Sequence, residues 1–139
     1  MPLKITLKPY ERMIIAGAVL TNGNKGTDFF IENNVPLLRQ KDIMNERNAN
    51  SPARRIYFII QLMYIDGKNL ATHHNTYWKL VKDFLNAAPS KLGSIEQISE
   101  LILSNNYYKA LKLTRELIDY EKEVLEHVQE QRVGGIRGC

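Results

Sequence analysis

Catalysis or metal binding in this chain would have to come from 3 histidines, 1 cysteine and 15 carboxylates. His73 and His74 are adjacent, and neighbouring positions on a helix point in different directions, so shared metal ligation is not expected. Both are read as a solvent-exposed helix start. His127 falls in an acidic stretch and is placed on its solvated face. Cys139 is the single cysteine, which leaves no intrachain disulfide and no cysteine-rich zinc site; a frayed thiol without a role is expected. There is no Gly-x-Gly-x-x-Gly, no P-loop and no Gly-x-Ser-x-Gly elbow. The glycines at 23 and 26 lack the following helix that a phosphate cradle needs. No catalytic residue, metal ligand or cofactor is therefore expected, and the chain is not read as an enzyme.

The basic residues offer different chemistry. The formal net charge is +4. Residues 1–55 carry nine Lys/Arg against five Asp/Glu, whereas residues 56–139 carry ten against ten. All of the excess positive charge is thus N-terminal, which suggests that this end meets an anionic partner. Lys4, Lys8, Arg12, Arg39 and Lys41 would present ammonium and guanidinium groups from an N-terminal sheet, and Arg54 and Arg55 would open the next helix. Those seven are the candidate RNA-binding residues. Recognition of single-stranded RNA also needs stacking surfaces, and Tyr10 with Phe29 or Phe30 would supply them; the two phenylalanines must face opposite sides of a strand. The competing reading is that the charges solvate the sheet, and that Arg54 and Arg55 flank the core and bond loop carbonyls or carboxylates. Glu116, Asp119, Glu121, Glu123, Glu126 and Glu130 make an acidic stretch near the other end.

The elements that must position these groups read as α+β. Leu3, Ile5 and Leu7 alternate with Lys4, Thr6 and Lys8, a period of two that marks a strand. Pro9-Tyr10-Glu11 interrupts as a tight turn. Met13–Leu20 is an apolar run of strand length, in which Gly17 marks a bulge or a close backbone approach. Asn22-Gly23-Asn24-Lys25-Gly26 is a hairpin signal. Thr27–Ile31 and Val35–Leu38 complete an antiparallel meander of about four strands over residues 1–40, with Pro36 placing the last at an edge or bulge. A bundle of about four helices follows within residues 51–130. Ser51-Pro52 starts the first, which is apolar nearly all round through Asp66 and is the expected centre of the core. The second, about 74–87, shows Trp78, Val81, Phe84, Leu85 and Ala88 at helical spacing. The third starts after Ser94, and the fourth is long and amphipathic, roughly 106–130. Residues 1–130 are read as one domain, and 131–139 as a flexible glycine-rich tail. A hydrophobic fraction of 44% with 24% charged residues is ordinary for a globular protein. No apolar run approaches the roughly 18 residues of a membrane span, and the start resembles neither a signal nor a transit peptide, so a cytoplasmic location without membrane contact is expected.

Several stretches carry a resemblance: Leu3-Lys4-Ile5-Thr6-Leu7-Lys8-Pro9, Gly17-Ala18-Val19-Leu20-Thr21-Asn22-Gly23, Leu38-Arg39-Gln40-Lys41-Asp42-Ile43-Met44, Ser51-Pro52-Ala53-Arg54-Arg55-Ile56-Tyr57-Phe58, Gln61-Leu62-Met63-Tyr64 and Asn106-Tyr107-Tyr108-Lys109-Ala110-Leu111-Lys112. In order and spacing they resemble the FlbT family of flagellin-synthesis repressors across residues 3 to about 125. The family usually has Gly at the position of Tyr10, so a different geometry is expected at that turn. The resemblance implies association with the 5′ untranslated region of a flagellin messenger RNA and reduced translation or lifetime of that message. It also implies work alongside a second small regulator, FlaF. Val35–Ile43 is further similar to the end of the carbon storage regulator, in which an Arg matching Arg39 contacts RNA; that family's other key Arg falls at Leu7 here. The alternative is an interaction module that binds FlaF, flagellin or its own copy, as a homo-oligomer, without touching RNA.

Overall fold

The computed structural model describes the backbone of residues 2–137 and the side chains of residues 2–127. Among the described residues, five strands precede four α-helices, which is the α+β arrangement expected. The strands are β1 (Leu3–Leu7), β2 (Arg12–Ile15), β3 (Ala18–Thr21), β4 (Thr27–Ile31) and β5 (Leu37–Arg39). They form two small antiparallel sheets, β1–β4 and β3–β2–β5, in place of one continuous meander. The apolar run Met13–Leu20 is two strands because Ala16 and Gly17 both take positive φ, 50° and 85°, and reverse the chain. Gly17 is also a close approach: a Cβ there would lie 3.3 Å from the Ile65 carbonyl oxygen.

The Asn22–Gly26 segment turns the chain, but it connects the two sheets where a hairpin within one was expected. Its centre is Asn22, whose amide donates to the carbonyls of Lys8 and Lys25 at 2.9 Å each, while its backbone N–H meets Glu11 O at 2.9 Å. Tyr10 N–H closes the same corner on Gly23 O at 2.9 Å. These bonds satisfy several backbone polar groups of the turns locally and pin both sheets at one end.

The helices are α1 (Pro52–Ile65), α2 (Leu70–Ala87), α3 (Leu92–Leu103) and α4 (Tyr107–Arg137). Ser51 caps α1 as its sequence suggests, its side chain accepting from Arg54 N–H. A second cap, a carboxylate, comes from far away, since Glu121 on α4 accepts from Ala53 N–H at 2.9 Å. α1 is the central element. Ile56, Ile59, Ile60 and Met63 are buried on it, in one core with Ile14 and Leu38 of the sheet and with residues of the other three helices. Gln61 is buried as well, and its amide pairs with both the N–H and the C=O of Met44, at 2.8 and 3.0 Å. On α2 the fully buried aromatic is Tyr77, bonded to Ser99 at 2.8 Å, and Trp78 is 47% exposed.

α3 begins at Leu92, directly after a 3-10 turn at Pro89–Lys91, so Ser94 lies inside the helix instead of capping it. His73 is not on an exposed helix start. α2 begins at Leu70, and His73 Nε2 sits 3.1 Å from Asp66 with a side chain only 12% exposed. Residues 131–137, expected to stay irregular, are helical, because extending an existing helix needs no new nucleation. Cys139 lies outside the described residues. No helix among the described residues is long and apolar enough to cross a membrane.

Candidate nucleic-acid interface

The period-two pattern of β1 turns Ile5 and Leu7 inward and Lys4, Thr6 and Lys8 outward. Opposite them on β4, Phe30 is paired with Lys4 and Asp28 with Thr6. Phe30 is 62% exposed, whereas Phe29 packs inward against Ile5, Leu7 and Met13, so Phe30 is the ring available for stacking. Lys4 reaches Asp28 only at 3.8 Å with both side chains more than half exposed, a contact of little energetic weight.

The outward face of β1 leads into a cleft of about 790 Å³ lined by Thr6, Lys8, Tyr10, Glu11, Arg39 and Lys41, among others. Lys8 and the Arg39–Lys41 segment, distant in sequence, are therefore brought together. Tyr10 is 67% exposed at its rim and has φ of +61°. The turn takes the left-handed geometry that a glycine would favour, and a tyrosine ring projects from it. Arg39 is partly engaged: its Nη2 donates to Thr6 O at 2.6 Å and lies 3.4 Å from Glu11 Oε2. The guanidinium so supplies a donor to the edge of β1 and ties the two sheets together.

Glu11 also accepts from Lys8 N–H at 2.9 Å. That backbone bond first, and Arg39 after it, hold the Glu11 carboxyl below the usual carboxylate range. A depressed native pKa adds stability that is present above the unfolded value and lost as pH falls through the folded one. The stability difference between wild type and Glu11→Gln is expected to be largest at about pH 6 and to shrink by about pH 3. Urea midpoints of both proteins at the two pH values check this; a constant difference would contradict the assignment.

Lys41 borders a second cleft, about 530 Å³, with Asp42, Arg54, Tyr57, Arg115 and Asp119. Here the sequence reading missed the organising residues. Asp42 is buried, and its carboxylate accepts from Arg115 Nη2 at 2.8 Å with Lys112 at 3.6 Å. Arg115 Nη2 also donates to Lys41 O at 2.8 Å, and the Tyr57 hydroxyl donates to Asp42 O at 2.6 Å. Burial raises the Tyr57 phenol above its usual value, so it stays a neutral donor. Arg54, half-buried, reaches Asn50 at 3.2 Å, which is the loop-bonding role considered for it. Arg12 and Arg55 are exposed and line neither cleft, although Arg12 N–H is held by Gln40 at 2.7 Å.

Fold and clefts together define a small α+β protein with a basic, aromatic-edged N-terminal face and a helical body. The chain belongs to the FlbT family: the family model described as "Flagellar protein FlbT" matches residues 3–125. It is 42% identical over 125 residues to the probable flagellum biosynthesis repressor protein FlbT of Rhodopseudomonas palustris (strain TIE-1), covering 90% of this chain and 98% of that one. It is 38% identical over 130 residues to the flagellum biosynthesis repressor protein FlbT of Caulobacter vibrioides (strain ATCC 19089), covering 92% of each. No solved structure matches it.

Proposed function

We propose that this protein is a cytoplasmic, post-transcriptional regulator of flagellum biogenesis. It binds the 5′ untranslated region of a flagellin messenger RNA through its N-terminal face and lowers the translation or lifetime of that message. The relatives named as flagellum biosynthesis repressors support the biological role. One observation carries the chemistry: Lys8, Arg39 and Lys41 line a single cleft whose rim holds the exposed Tyr10 ring. Cations there meet phosphates, and Tyr10 and Phe30 stack unpaired bases. A titration of the purified protein with its cognate flagellin leader, at two salt concentrations, tests the reading. Binding that weakens steeply with salt is expected; no binding even at low salt would sink it.

A second reading has its own observation. Val124 and Leu125 are 42% and 55% exposed on α4, which runs on to Arg137. An amphipathic helix of this kind fits a partner's groove, and a FlaF-like regulator or flagellin would be that partner. Co-purification with such a protein, together with failure to shift the leader RNA, would favour it.

A further inference from the structure

The second cleft, of about 530 Å³, is lined by charges of both signs. Asp42 and Arg115 neutralise each other at 2.8 Å. Arg54, in the first turn of α1, and the exposed Asp119 of α4 line the same space, yet neither forms a salt bridge among the described residues. The Arg54 side chain gives one Nη1 donor to Asn50 at 3.2 Å, which leaves most of its planar fork open. The cleft has apolar and planar surface as well. Ile43, Met44 and Ile118 are half-buried beside it. The Arg115 guanidinium lies 5.6 Å from the centre of the Tyr57 ring and is fixed by bonds to Asp42 and to Lys41 O, 2.8 Å each. A guanidinium plane held in this way is a surface on which an unpaired base stacks.

We propose that this cleft takes one unpaired guanine of the bound message, an inference that rests on the RNA-binding reading above. Arginines alone would suit a phosphate, but the Asp119 carboxylate, with no cation paired to it, would repel one. A carboxylate is matched instead by two adjacent donors. Guanine offers N1–H and N2–H side by side on its Watson–Crick edge. Adenine and cytosine set a donor next to an acceptor there, and uracil sets one donor between two acceptors. Asp119 accepts from both guanine donors, Arg54 donates to O6 and N7, and the base lies against the Arg115 plane. The two clefts are joined, since Lys41 borders both. A strand whose phosphates meet Lys8 and Lys41 therefore passes from the first cleft to the second, and its next base is the one that enters.

Fluorescence anisotropy of the full chain at low salt tests this with three labelled RNA heptamers, uridine throughout except for guanine, adenine or hypoxanthine at the centre. The guanine heptamer is expected to bind about 10-fold more tightly than the adenine one. Hypoxanthine lacks the 2-amino donor and should fall between them, a comparison that needs no protein variant. Asp119→Asn keeps the shape of the side chain but exchanges one acceptor for a donor. It should lose the preference for guanine while holding the adenine heptamer as wild type does, which a misfolded protein could not do. Equal binding of all three heptamers by wild type would overturn the guanine site and leave RNA binding at the N-terminal cleft standing. A preference that survives Asp119→Asn would overturn the assignment of the Watson–Crick edge to Asp119. Failure to bind any heptamer would overturn the site too, and the titration with the flagellin leader then decides separately whether the protein binds RNA.

Discussion

Asp42→Ala is expected to lower the unfolding free energy by about 2–3 kcal/mol, among the largest effects of any single polar substitution in this protein. The Asp42 side chain is 4% exposed and is held by Arg115 at 2.8 Å and Lys112 at 3.6 Å. Removing one member of a fully buried pair costs about 3–5 kcal/mol, because the other charge is left without solvent or partner. Here the cations are 43% and 45% exposed, so they regain water and the loss falls below that range. The contact also crosses most of the chain: Arg115 lies 73 residues from Asp42 and fastens the segment after β5 to α4. Urea denaturation gives the number, and a fall of about 10 °C in Tm should accompany it. Tyr57→Phe is the comparison, since it removes one hydrogen bond to the Asp42 carbonyl and should cost only about 1 kcal/mol. A loss below about 0.5 kcal/mol for Asp42→Ala would mean that the pair behaves as a surface ion pair.

That contact shows where sequence reading stops. Periodicity says which face of an element is apolar, and so β1, β4, the cap at Ser51 and the buried α1 were all legible. It does not say which polar residue will meet which, and Asp42, Lys112 and Arg115 carry no local signature. The split of Met13–Leu20 was half legible. Gly17 signalled a close approach, which the Ile65 carbonyl confirms, but the turn also needs Ala16 at φ 50°, a conformation that alanine seldom adopts. On α2 the spacing favoured Trp78 and Phe84; Phe84 is buried, but Tyr77 takes the second buried place, its hydroxyl bonded to Ser99 while the larger, half-exposed indole lies against it edge-on at 5.1 Å. Among the candidate site residues, charge counting pointed to the N-terminal end of the molecule. It could not separate Lys8 and Lys41, which are exposed at the cleft, from Arg39, which holds two sheets together.

This separation decides how the proposed RNA interface should be tested. Arg39→Ala would remove the donor to Thr6 O, so weaker binding in that variant would mix affinity with stability. Lys8 and Lys41 are exposed and form no salt bridge among the described residues, and the double change to Ala should leave the urea midpoint nearly unmoved. Its affinity for the flagellin leader is expected to fall roughly 10- to 100-fold at low salt. The slope of log K against log salt should flatten by about 1.4, the value for two phosphate contacts to a single strand. Tyr10→Gly separates stacking from charge. Losing the ring should weaken binding by about 1–3 kcal/mol, with the salt slope unchanged. The same substitution relieves the left-handed strain at φ 61°, worth about 1 kcal/mol, against which the greater freedom of glycine in the unfolded chain is set. Stability near that of wild type is therefore expected beside reduced affinity. Filter binding or fluorescence anisotropy at several salt concentrations reads both variants. Wild-type affinity in the lysine double variant and in Tyr10→Gly would remove the N-terminal cleft as the RNA site, even if the leader itself is bound.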